Sequence, residues 1–150
     1  MYENILLATD GTVASENATT HAIRLANLHD AMLHALFVVD SDVYSAYSGD
    51  EYVDEHEGPE HGLEEVGEET LGAVRERAAD HGVEVIEELR HGRPHEVIVD
   101  YAGEEGVDLI VLGTRRHPEA YRSLLGSVTD RVVRLAEEPV TVVKTEVGGE

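Results

Sequence analysis

Five short apolar runs set at intervals along the chain constrain its fold more than any other feature. They are Ile5-Leu6-Leu7-Ala8-Thr9, Met32 to Val39, Val83 to Leu89, Val107 to Leu112 and Val140 to Val143. Each has the length of a strand, and most are apolar at nearly every position. That pattern fits parallel strands covered on both faces, because a strand with one wet face alternates instead. Val83 to Leu89 alternates less cleanly and is expected at a sheet edge. Between the runs the period changes to that of a helix. Ala14, Ala18, Ala22, Leu25 and Ala26 recur from Thr12 to His29, with Thr12 or Ser15 available as N-cap. Leu63, Val66, Thr70, Leu71, Val74 and Ala78 do the same before a His81-Gly82 stop, and Val97, Ile98, Tyr101 and Ala102 follow Gly92-Arg93-Pro94. Val128 to Ala136 supply a last helix. The succession β-α-β-α-β-α-β-α-β demands right-handed crossovers and helices on both faces of a parallel sheet, a three-layer α/β sandwich.

A chain of 150 residues has the size of one domain, so residues 1–150 are expected to share one core. Asp40 to Gly62, rich in Ser, Tyr, Gly and acids, reads as a long mobile loop, and 145–150 as a tail. Cysteine is absent, which excludes a disulfide framework and a thiol nucleophile. Neither a signal-like N-terminus nor an apolar run of membrane length occurs, so a cytoplasmic protein with no membrane partner is expected. Charge is more telling. There are 32 Asp and Glu against 11 Lys and Arg, a formal net charge of -21, and Lys144 is the only lysine. Self-repulsion on that scale loosens a compact domain unless salt screens it, and the screening length falls to about 3 Å at 1 M. The composition therefore suits a halophile. It also argues against DNA or RNA, since a duplex binder needs a basic patch and this chain has scattered arginines.

Gly113 to Thr129 reads G-T-R-R-H-P-E-A-Y-R-S-L-L-G-S-V-T and joins the fourth run to the last helix. Loops at that place in open α/β sheets hold ligands. Gly126-Ser127-Val128-Thr129 opens the helix with outward amides and two hydroxyls, which suits a phosphate, although a plain N-cap preceded by a glycine has the same sequence. Arg115 and Arg116 suit an anion, or pairing with acids such as Glu119 or Asp130. The nine histidines include His56 and His61 among acids, but in a loop without a supporting shell, so no metal site is assigned. No nucleophile elbow and no acid–base pair can be picked out, so no catalytic residue is assigned and slow ATP hydrolysis is the most the sequence supports. A phosphoacceptor receiver domain is excluded on spacing, because the third run leads into Arg90-His91-Gly92 with no acid at its end.

The spacing from Gly113 to Gly126-Ser127, together with the Asp10-Gly11-Thr12 and Gly92-Arg93-Pro94 turns, resembles the universal stress protein family, over nearly all of Asn4 to Lys144. Its signature is G-x2-G-x9-G-[S/T]. Arg116 stands where nucleotide-binding members carry the middle glycine. The resemblance implies a Rossmann-like fold of the adenine nucleotide alpha hydrolase type, with strand order 3-2-1-4-5 and a crevice between strands one and four. It implies contacts to ATP, with Mg²⁺ accompanying the ATP only, from Ala8, Thr9, Asp10, Val38, Leu112, Gly113, Arg115, Arg116, Gly126, Ser127, Val128 and Thr129. Tyr44, Tyr47 or Tyr52 could cover a base. It further implies a homodimer through strand five. Two functional classes follow: a nucleotide-binding stress or regulatory module, and a dimeric interaction module of the same fold in which Arg116 alters the pocket.

Overall fold

A computed structural model of the chain describes residues 2–40, 59–116 and 127–146. The strands are β1 (Asn4–Ala8), β2 (Met32–Asp40), β3 (Val85–Gly92), β4 (Leu109–Arg116) and β5 (Val140–Glu146). A 3-10 turn (Val13–Ser15) leads into α1 (Glu16–His29); α2 is Pro59–Ala79, α3 Pro94–Glu104 and α4 Ser127–Leu135. All pairings are parallel, and the sheet has five strands in the order β3-β2-β1-β4-β5 with helices on both faces. The expected Rossmann-like three-layer fold is the fold observed.

Strand periodicity explains the doubly apolar runs. Ile5, Leu7, Leu33, Ala35, Phe37, Leu109 and Val111 share one core with Ala18, Ala22, Leu71 and Val74 of α1 and α2. Their sequence neighbours Leu6, Leu36, Ile110 and Leu112 join Ile98, Tyr101, Ala102 and Val132 of α3 and α4. Successive side chains thus enter opposite layers, and each layer needs an apolar residue.

Several boundaries differ from expectation. β4 was expected to end at Leu112; it continues through Gly113 to Arg116, paired with Val143 to Glu146 of β5. Backbone pairing carries it there, since the ladder uses amides and carbonyls whatever the side chains are. β3 was expected over Val83 to Leu89; it starts at Val85 and runs on through Arg90 and His91 to Gly92. α2 starts at Pro59, and Val83 N–H returns to the Ala78 carbonyl (2.9 Å) just after the helix stops.

At the starting ends of the strands, polar groups are satisfied internally. His34, buried in β2, has Nε2 3.0 Å from Asn4 Oδ1 and Nδ1 2.7 Å from the Tyr101 hydroxyl. Asn4 Oδ1 only accepts, so Nε2 carries the proton and Nδ1 accepts from Tyr101. Burial lowers the His34 pKa, outweighing the raising pull of Glu105 and Glu88. Burial, then Glu105 and Glu88, push the Tyr101 hydroxyl up to about 12, against Arg90, whose guanidinium sits 4.8 Å from the ring centre. Asp108, just before β4, accepts the N–H groups of Glu3 (2.8 Å) and Asn4 (2.9 Å) on Oδ2, pinning β1 beside β4.

Candidate ligand site at the switch point

The strand order reverses between β1 and β4, and a cavity of about 610 Å³ opens at their finishing ends. That volume is in the range of small-molecule sites, about 300–1,000 Å³. Its floor is apolar: Ala8, Leu36, Val38 and Leu112 from the sheet, with Pro94 and Ile98 from α3. One rim is Thr9, Asp10, Thr12 and Ser15; the opposite rim is Gly113, Thr114 and the first turn of α4, Ser127 to Thr129. The first amides of an α-helix have no partners within it, so that turn presents donors and the positive end of the helix dipole.

Asp10 is the charged centre of the first rim. Its Oδ1 accepts from Thr12 N–H (2.9 Å), the Thr12 hydroxyl (2.6 Å) and the Ser15 hydroxyl (2.8 Å). Burial alone would raise its pKa, but those hydrogen bonds from Thr12 and Ser15, with one from its own amide, outweigh it and hold the carboxyl below its ordinary value. The tight turn relies on Gly11, at φ +78°, against which Thr70 packs so closely that a Cβ would lie 2.6 Å from its Oγ1. Ser15, expected as a helix cap, holds the N-cap position but makes no side-chain cap bond.

Gly113 has a role the sequence did not disclose. A Cβ there would sit 2.1 Å from the Ala14 carbonyl oxygen, so the glycine lets the 3-10 turn lie directly on β4. Its own carbonyl accepts the Thr129 hydroxyl (3.3 Å), which commits a hydroxyl that had been expected to face a ligand. Thr129 is buried, and its contribution to the rim is therefore mainly backbone.

Of the residues implicated from sequence, the cavity gathers Ala8, Thr9, Asp10, Val38, Leu112, Gly113, Ser127, Val128 and Thr129. Arg115 and Arg116 pair through their backbones with Thr145 and Glu146, and their side chains, like Gly126, Tyr44, Tyr47, Tyr52 and His56, lie outside the described residues. Asp130, considered as a partner for those arginines, pairs with Arg134 (3.3 Å). Among the described residues there is no cluster of His, Asp and Glu able to hold a metal ion, and no helix long and apolar enough to cross a membrane. Sequence reasoning missed Thr12, Ala14, Ser15 and Thr114 in the lining, and with them Leu36, Phe37, Asp40, Leu63, Pro94 and Ile98. Leu36 could have been found by parity, because it shares a strand face with Val38. The α2 and α3 residues needed the topology.

A doubly wound parallel sheet with its cavity at the switch point, an acid on one rim and a helix start on the other, defines a Rossmann-like α/β domain with a ligand crevice. More narrowly, the chain belongs to the universal stress protein family, whose model matches residues 1–144. The universal stress protein MJ0531 of Methanocaldococcus jannaschii is 38% identical over 147 residues, covering 96% of this chain and 83% of that one. A second from that organism, MJ0577, is 32% identical over 155 residues, covering 96% of each chain. The solved structure of MJ0577 superposes with a TM-score of 0.78, covering 99% of each chain at 29% identity. At 22% identity and a TM-score of 0.65, the same fold recurs in a universal stress protein solved in complex with cAMP, covering 95% of this chain and 97% of that one. The same identity and TM-score hold for one from Archaeoglobus fulgidus solved in complex with dAMP, covering 95% and 98%.

Proposed function

We propose that this chain is a cytoplasmic stress-response or regulatory module that binds an adenine nucleotide, ATP or a relative of it, in the switch-point cavity, with Mg²⁺ accompanying ATP only. The carrying observation is the cavity itself: an apolar floor wide enough for a base, between an acid and a helix start. The phosphates go to Ser127 to Thr129, where unpaired amides favour an anion, and away from Asp10, which repels one. Arg115, Arg116 and Gly126 complete that end in this reading. The cAMP and dAMP complexes add that this fold holds adenine nucleotides in other proteins. Titrating ATP with Mg²⁺, and AMP, in molar salt tests the reading. Binding stabilises the fold by mass action, about 2.7 kcal/mol at a hundredfold excess over Kd, so the melting temperature rises. Neither ligand raising it at millimolar concentration would overturn the proposal. Arg116→Gly then reports on the position itself: tighter binding identifies a plug, weaker binding a phosphate clamp.

The second part of the proposal is a homodimer through β5. Val140–Glu146 is the outermost strand on its side, and an uncovered edge with Val140, Val142 and Val143 is a pairing template. Sedimentation in molar salt is expected to give about twice the chain mass of 16.4 kDa. A monomer at tens of micromolar would reject it.

A further inference from the structure

A second, smaller hollow of about 260 Å³ opens between α1 and α2, the two helices that cover the face of the sheet opposite α3 and α4. Glu69, Ala73, Val74 and Arg77 line it along α2, and Glu16 and Thr19 along α1. Its buried hydroxyls are already committed: Thr19 donates to the Ser15 carbonyl (2.9 Å), and Thr9 accepts the Gly11 N–H (3.2 Å). The charged groups are not. Among the described residues, the carboxylates of Glu16 and Glu69 make no hydrogen bond or ion pair. Arg77 makes one bond, from Nη2 to the Thr20 hydroxyl (2.6 Å), which in turn donates to the Glu16 carbonyl (3.3 Å). Arg75, Arg90, Arg93 and Arg134 all pair with carboxylates. Arg77 has two carboxylates in its own groove and pairs with neither, so Thr20 orients a guanidinium whose remaining N–H donors are uncommitted.

We propose that this groove binds a small zwitterion of the ω-amino carboxylate class, with its ammonium between Glu16 and Glu69, its methylenes over Ala73 and Val74, and its carboxylate on Arg77. The order of groups along α2 carries the inference. Glu69, Ala73 and Arg77 follow one another at four-residue intervals, so an acid, a gap the size of a methyl group and a cation succeed each other down the groove. The two charged residues are about 12 Å apart along the helix axis, and their side chains close part of that distance without meeting. Val74, buried beneath the gap, gives the middle an apolar wall. A lone anion suited to Arg77 is repelled by two carboxylates, and a lone cation suited to the acids meets a guanidinium. A molecule that carries both charges, held apart by methylenes, satisfies each end with charge-assisted bonds. The hollow has less than half the volume of the switch-point cavity and lies below the range of about 300–1,000 Å³ typical of cofactor sites, which excludes a second nucleotide. The inference goes beyond the nucleotide reading and does not rest on it, because Glu16, Glu69, Ala73, Val74 and Arg77 line this groove and not the other cavity.

The methyl signals of Thr70, Ala73 and Val74 report on the groove by NMR. They are followed without nucleotide, in the lowest salt at which the chain stays folded, since screening weakens the attraction at both ends. γ-Aminobutyrate is expected to shift them saturably at millimolar concentration. Butyrate and butylammonium, each with one charge on a chain of similar length, are expected to bind about tenfold more weakly, as loss of a bond to a charged group implies. Glycine, whose charges lie too close together to reach both ends, is also expected to bind more weakly than γ-aminobutyrate. Arg77→Gln removes the charge and keeps donors, and is expected to weaken γ-aminobutyrate about tenfold. Glu69→Gln, at an exposed position, is expected to weaken it at the other end and decides the matter should Arg77→Gln fail to fold. No saturable shift with γ-aminobutyrate up to tens of millimolar overturns the proposal. Butyrate binding as well as the zwitterion also overturns it, by making the groove a plain anion site, and so does an unchanged affinity for γ-aminobutyrate in the variants. Glycine binding as tightly as γ-aminobutyrate overturns the placing of the two charges at opposite ends. With no nucleotide present, none of these outcomes bears on the nucleotide reading.

Discussion

The two ends of one sheet treat polar groups in opposite ways. Where the strands start, His34, Asn4 and Tyr101 satisfy one another in a closed set, and Asp108 takes two backbone amides from β1. Where the strands finish, Asp10 takes its donors from the turn that follows it, Thr12 and Ser15, beside a cavity that the first turn of α4 also lines. Both ends carry acids held below their ordinary pKa by hydrogen bonds. At the starting end that bonding joins strands; at the finishing end it fixes the turn on the rim of the cavity. A carboxylate's role here follows from which donors it gathers: amides at the start of β1 for Asp108, groups of its own turn for Asp10.

The largest expected effect ignores the difference between the ends. Lowering salt from molar to tenths of molar removes the screening of a net charge of -21, and cooperative thermal melting is expected to be lost or to fall to far lower temperature. Circular dichroism across a salt series measures it, and a melting temperature indifferent to salt would remove the case for a halophile. Next comes Gly113→Val. Its branched side chain enters space held by the Ala14 carbonyl, a rigid backbone atom, and destabilisation on the order of 3 kcal/mol or more is expected from overpacking. A fully stable Gly113→Val would mean that the finishing end is soft throughout.

Smaller effects distinguish the ends. Tyr101→Phe leaves His34 Nδ1 buried without its donor and is expected to cost about 1–3 kcal/mol in denaturant unfolding, with no change in nucleotide affinity. The His34 pKa is depressed from its ordinary 6.5, so below that pH the unfolded chain takes up a proton more readily than the folded one. Its contribution is full above about 6.5 and falls as pH drops towards the folded-state value. His34→Gln is expected to flatten that part of the stability profile, and a wild-type profile flat from pH 7 to 5 would show that protonation is tolerated. Asp10→Asn has the smallest effect on stability, expected within about 1 kcal/mol, together with a clear loss of AMP affinity by calorimetry. The reverse result would make Asp10 another strand clamp like Asp108.

Much of the fold was legible because a buried parallel strand needs an apolar residue at every position, and β1, β2 and the first half of β4 advertise that directly. The second half of β4 was not legible. Thr114, Arg115 and Arg116 break the apolar run, and it is backbone pairing that joins them to Lys144, Thr145 and Glu146. His34 sits in an apolar run, and nothing local says that Tyr101, 67 residues away, will satisfy it. In the cavity, strand-end residues such as Ala8, Asp10 and Val38 could be assigned once the order of strands was expected. Pro94, Ile98 and Leu63 reach it only through the placement of helices. Gly113 drew attention for the right position and a different reason: its missing side chain makes room for Ala14, a residue of the same chain.

That contact has a mechanical consequence. The Ala14 carbonyl rests on Gly113 and also accepts the Thr145 hydroxyl (3.5 Å), while Asn17 reaches the Lys144 carbonyl (3.4 Å). The turn beside Asp10 is thus geared to the outermost strand across β4. In the nucleotide and dimer readings proposed above, a ligand that restrains the turn would also restrain the edge, and by thermodynamic reciprocity a partner on the edge would return the same free energy to the ligand. Occupancy at the crevice and company at the rim of the sheet would then be two readings of one setting.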